Sequence, residues 1–107
     1  MKETTIERMH SVFRRYPQID KAVLYGSRAK GNYKNGSDID LAIHGKELSL
    51  FLVNKLLIEI DDLMLPYTFD ISIFADIDNP DLIDHIKRVG MNFYEKPFQD
   101  STASETD

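Results

Sequence analysis

The stretch from Gly26 to Ile43 constrains this chain more than any other. An apolar run, Ala22-Val23-Leu24-Tyr25, leads into Gly26-Ser27; ten residues later Asp38-Ile39-Asp40 opens a second apolar run, Leu41-Ala42-Ile43. Successive side chains on a strand alternate between faces, so Asp38 and Asp40 share one face and Ile39 and Leu41 take the other. Two carboxylates side by side repel and desolvate each other unless a cation neutralises them. Hard oxygen donors with open positions suit Mg²⁺, which binds one or two carboxylates and completes its shell with water and phosphate oxygens. Gly26 permits a close backbone approach. Free N–H groups in a helical turn starting at Ser27 would suit a phosphate.

The segment between the two runs is short for a parallel crossover, which usually needs a dozen residues or more, so the two strands are expected to be antiparallel. That sets Gly26-Ser27 beside Asp38 and Asp40. Further along, Phe69-Asp70-Ile71-Ser72-Ile73 reads as another strand, with Asp70 and Ser72 on one face. A carboxylate inside an apolar strand wants a partner. A helix over residues 48–63 joins this strand to the Asp38–Asp40 strand. The pair is therefore expected to be parallel, with a right-handed connection, and Asp70 to lie level with Asp38 and Asp40.

Gly-Ser, ten residues, then Asp-x-Asp resembles the signature of the DNA polymerase beta-type nucleotidyltransferase superfamily. At 107 residues the chain is most similar to its minimal members, the MNT proteins, including the MntA-like antitoxins of HEPN/MNT toxin–antitoxin pairs. The resemblance covers residues 20–96. It implies an α/β fold of the α+β type: a small mixed β-sheet with helices packed on it. It also implies two Mg²⁺ ions (Mn²⁺ as an alternative) held by Asp38, Asp40 and Asp70, with ATP as substrate. Asp38 and Asp40 would bridge the metals, and Asp70 would hold the acceptor-side metal and take the acceptor proton. Gly26 and Ser27 would cradle the terminal phosphates, with Arg28 and Lys30 adding positive charge. The activity implied is transfer of AMP to a protein hydroxyl, a tyrosine of a HEPN-type ribonuclease toxin, which silences it. Two alternatives stand beside this: a non-catalytic module that blocks its partner by contact, and a nucleotidyltransferase for a small-molecule acceptor. The short chain disfavours the second, because no region is left for an acceptor pocket.

The remaining chain fits one domain, residues 1–97, followed by a polar stretch, 98–107, expected to be a disordered tail. Residues 4–16 read as a helix with Ile6, Met9, Phe13 and Tyr16 on one stripe, a capping box from Thr4 and Glu7, and Pro17 as its stop. Arg8, Arg14 and Arg15 read as its solvated face, with contact between Arg14 or Arg15 and a partner or an incoming phosphate as the alternative. Strands are expected over 21–25, 37–44 and 68–74. Asn79-Pro80 starts a last helix that Gly90 ends, and residues 91–94 read as a short strand or extended segment. The apolar surface of helix 48–63 is wider than one stripe, which fits either a buried core helix or a face that meets another subunit. Of the three histidines, His10 and His85 read as surface or structural and His44 as a less favoured neighbour of the site.

Composition excludes several classes. With no cysteine there is no disulfide scaffold and no thiolate metal site. The N-terminus, Met1-Lys2-Glu3-Thr4-Thr5, has no apolar run behind it, and Asn54, Lys55, Glu59, Asp61 and Asp62 interrupt the most apolar segment, so neither a signal peptide nor a membrane span is expected and the location reads as cytoplasmic. A net charge of −5 without a basic stripe argues against strong direct nucleic-acid binding. An open active-site edge in so small a domain is expected to be completed by a homodimer mate or another protein.

Overall fold

In the computed structural model of the protein, residues 2–26 and 38–97 are described, Asp38 by its backbone alone. The elements run α1 (Glu3–Arg14), β1 (Ile19–Leu24), β2 (Asp38–Gly45), α2 (Leu50–Asp61), β3 (Thr68–Ile73), a 3₁₀ turn (Phe74–Asp76), α3 (Pro80–Val89) and β4 (Met91–Glu95). The four strands form one sheet in the order β3-β2-β1-β4. β1 is antiparallel to both β2 and β4, whereas β2 and β3 are parallel, with α2 in the connection between them. The expected mixed sheet with its helices is therefore present, and both pairings agree with the reading from connection length. The helical turn expected at Ser27, the loop after it and the tail at 98–107 lie outside the described residues.

Alternation along the strands builds two cores. Ala22 and Leu24 of β1, Ile39, Leu41 and Ile43 of β2, and Ile71 and Ile73 of β3 point to one face, where they meet Met9, Val12 and Phe13 of α1 and Leu52, Val53, Leu56 and Ile60 of α2. Val23, Tyr25 and Ala42 point to the other face and pack with Ile86 of α3. Each fully buried aliphatic side chain contributes about 1.5–3 kcal/mol, so the first and larger core dominates. The apolar triplet of β2 is fully buried there, which leaves Asp40 on the less crowded α3 face.

The starts of two helices differ from expectation, and the same two helices, α1 and α2, stop two residues early, at Arg14 and Asp61. Thr4 and Glu7 form no capping box: α1 begins at Glu3, Lys2 stands at the cap position, and no side chain caps it. Thr4 is inside the helix and lacks the extended backbone a cap requires. α2 starts two residues later than its apolar pattern suggests, at a cap formed by Ser49, whose Oγ accepts from the Leu52 N–H at 3.2 Å. Asn79 caps α3 as expected, accepting from Asp81 and Leu82 N–H groups, with Pro80 in the first helical position. None of the described helices is long and apolar enough to cross a membrane.

Two of the three arginines read as a solvated face are engaged. Arg8 donates to the Leu63 carbonyl at 2.8 Å, and Arg15 donates to Glu59 of α2, which also accepts from the Tyr16 hydroxyl. The Tyr16 bond is the main reason the Glu59 carboxyl is held below its ordinary range. Burial and Glu59 together push the Tyr16 phenol up to about 12. A carboxylate with a depressed folded-state pKa adds stability above its unfolded value of 4.5, and that stability is lost as pH falls through the folded value. Glu59→Gln should therefore cost about 1 kcal/mol near neutrality. It should also flatten the acid limb of a stability–pH curve measured by urea unfolding, and an acid limb identical to wild type would count against this contribution.

Candidate active site

Three strands bring their ends together on the α3 face. In β2 and β3, Asp40 is the register partner of Asp70, and Asp38 pairs with Thr68. The ladder between β1 and β2 continues past Leu24 and Leu41, with the Tyr25 N–H donating to the Asp40 carbonyl at 3.0 Å. Tyr25, Asp40 and Asp70 thus form a row across the sheet. Neighbouring strands lie about 4.8 Å apart, which brings the Asp40 and Asp70 carboxylates close on a common face. Asp70 is exposed and Asp40 half-buried, so the row opens to solvent on the β3 side.

Gly26 fixes how tightly this corner is built. A Cβ at Gly26 would lie 2.4 Å from Asp40 Oδ2 and 2.5 Å from its Cβ. The absence of a side chain is what lets the chain leave β1 directly against the Asp40 carboxylate. This contact is a reason for glycine that sequence reading did not anticipate.

Tyr25 is the second feature missed. It is buried, its ring stands edge-on to His85 of α3 with centroids 6.5 Å apart, and its hydroxyl shares a hydrogen bond with Ser72 of β3. It spans β2 at Ala42, a fully buried small residue. Burial pushes the phenol up; the Ser72 bond offsets part of the rise, and the charges of Asp40 and Asp70 add to it. Tyr25 therefore stays protonated as the wall of the site. The available signal was its alternation with Val23, which together with the antiparallel register of β1 and β2 sets it on the same face as Asp40.

Of the expected site residues, the structure brings Gly26, Asp40 and Asp70 together. Asp38 is placed by its backbone at the start of β2, while Ser27, Arg28 and Lys30 lie outside the described residues. Among the described residues no three His, Cys, Asp or Glu side chains form a metal-binding group. His44 does not border the site: it lies four residues beyond Asp40, about 13 Å along the strand, stacked on Phe74 with centroids 4.5 Å apart. Burial and Lys21 hold its pKa below the ordinary value. His10 is structural, bonded to the Phe93 carbonyl and packed against the Phe93 and Tyr94 rings.

The four-stranded mixed sheet with its helices fits a nucleotidyltransferase domain. The polymerase beta nucleotidyltransferase family model matches residues 7–99, and the chain belongs to that family. No curated protein matches it in sequence. Among solved structures it is similar to a toxin–antitoxin complex with AMP-PNP, with a TM-score of 0.68 and 17% identity over 85% of this chain and 73% of the other. It is also similar to a complex of tri-AMPylated Shewanella oneidensis HEPN toxin with MNT antitoxin (TM-score 0.66, 15% identity, 90% and 74% covered). A third match is a complex of MntA in which two aspartates are changed to glutamate (TM-score 0.66, 14% identity, 90% and 75% covered). At these identities the likeness is one of fold.

Proposed function

We propose that this protein transfers AMP from ATP to a hydroxyl of a HEPN-type toxin, a tyrosine, and thereby acts as its antitoxin in the cytoplasm. The observation that carries the reading is the alignment of Asp40 with Asp70 on one face, beside Gly26 and two residues after Asp38. Family membership supports the chemistry, and the AMPylated toxin in a structure of the same fold supports the acceptor.

The carboxylates fit a hard divalent cation: they are paired oxygen donors, open to solvent on one side. Asp38, Asp40 and Asp70 would hold two Mg²⁺ ions, with Mn²⁺ as an alternative. Bound there, the metals would offset triphosphate charge and stabilise the attacking and leaving oxygens together. The acceptor oxygen forms a bond to the α-phosphorus as the bond to pyrophosphate breaks, and Asp70 takes the hydroxyl proton. Gly26 and Ser27 cradle the β- and γ-phosphates through backbone N–H groups and the Ser27 hydroxyl, while Arg28 and Lys30 balance their charge. Tyr25, uncharged, closes the inner wall without adding to the negative field.

The same fold could instead neutralise a toxin by contact alone. Toxin activity measured with the Asp38→Ala/Asp40→Ala double variant separates the two. Loss of neutralisation with retained binding is expected; full neutralisation by the variant would leave a binding module.

A further inference from the structure

Part of the exposed apolar surface of α2 borders a groove, while Leu50 and Phe51, in its first turn, are exposed outside it. The second half of α2, the turn after it and the start of β3 enclose this open groove of ≈ 940 Å³. Leu57, Leu65, Tyr67 and Phe69 form its floor and walls, while Ile58 and Met64 stand at its rim, 63% and 86% exposed. Such large apolar side chains clustered on a small surface mark an interaction site. The groove is not the carboxylate row: Phe69 lines it from the α2 face of the sheet, opposite Asp70, and Thr68, which shares the Asp70 face two residues before it, lines it at the edge of β3. β3 is an edge strand, so no further strand separates the groove from solvent on that side.

Charge selects the occupant. The lining carries Asp61 and no Lys or Arg, and exposed Asp62 follows it; Arg8, on the α1 side, donates to the Leu63 carbonyl. The chain's own segment 98–107 is a poor fit, having Asp100, Glu105 and Asp107 but no cation, and Phe98 as its one large apolar residue. A second copy is also a poor fit, because a two-fold contact would turn the same acidic rim on itself. We infer that this groove docks the acceptor protein of the proposed transfer, through a segment with apolar side chains flanked by Lys or Arg, and so delivers the acceptor hydroxyl to Asp70. The inference rests on the transferase reading for its occupant; binding is measured apart from catalysis.

The test uses the full chain and the purified product of the adjacent gene as the probe. Ile58→Asp/Met64→Asp alters exposed side chains and should leave the melting temperature near wild type. It should weaken binding, read by calorimetry, roughly thirtyfold or more, and raise the acceptor KM while leaving the ATP KM unchanged. Asp61→Lys should weaken binding several-fold at low salt. Asp70→Asn should bind normally without transferring. Undiminished binding by the groove variants overturns the docking site, even if Asp70→Asn abolishes transfer and so upholds the chemistry. Normal transfer by Asp70→Asn would instead overturn the catalytic reading. A probe that does not bind the wild type overturns the assignment of the occupant. A wild-type dimer in sedimentation that the groove variants split, with probe binding intact, assigns the groove to a second copy.

Discussion

Asp70→Asn is expected to lower nucleotidyl transfer by at least roughly 10²–10³-fold, the loss typical of removing a group that stabilises charge in the transition state. Asp70 is an exposed carboxylate on an edge strand, in register with Asp40. Its position has no packing purpose; β3 is anchored by Ile71 and Ile73 on the opposite face. Replacing it with the neutral isostere removes repulsion between adjacent carboxylates. The melting temperature should therefore stay level or rise while turnover collapses. A decline in both together would make Asp70 a structural residue. The measurement is a thermal melt beside a steady-state assay on the same preparation.

Gly26→Ala should have an effect of similar size by another route. The added methyl would lie 2.4 Å from Asp40 Oδ2, far inside contact distance, and the nearby atoms belong to the stem of a short side chain as well as its tip. Asp40 must swing away or the chain must leave β1 at a different angle; either displaces the carboxylate by an amount comparable with the 1 Å shifts that cost about 10²-fold. Activity should fall about a hundredfold or more, accompanied by weaker metal dependence, read as a higher Mg²⁺ concentration for half-maximal rate. The Ala variant would uphold wild-type metal dependence only if Gly26 were needed solely for its own backbone.

Both predictions draw on features with different visibility in the sequence. Asp40 and Asp70 were legible because a carboxylate interrupting an apolar strand breaks the pattern, and because connection lengths set the strand directions that bring them level. The contact between Gly26 and Asp40 was not legible, since it depends on the angle at which β1 ends. Tyr25 was read as the end of a strand because a buried tyrosine and a site-wall tyrosine look alike until Ser72 is brought within reach across Ala42. Ser49 was hidden by Leu48: an apolar residue just before the cap continues the helical pattern, and Leu48 and Val53 share the same core in the manner of a hydrophobic staple. Residues 91–95 pair with β1 at the sheet edge, and with Phe93 and Tyr94 adjacent and Met91 exposed they show no clean alternation of apolar and polar side chains. The arginines of α1 carry no local sign of whether a partner exists; Glu59, some 44 residues from Arg15, supplies it.

The most direct measurement is transfer of label from α-labelled ATP, with Mg²⁺, to the product of the adjacent gene, comparing the wild type with Asp38→Ala/Asp40→Ala. The expected result is label on the partner protein, on a tyrosine, that disappears with the double variant. Equal labelling by both proteins, or none by the wild type while the partner is still silenced, would contradict catalysis by this row of carboxylates.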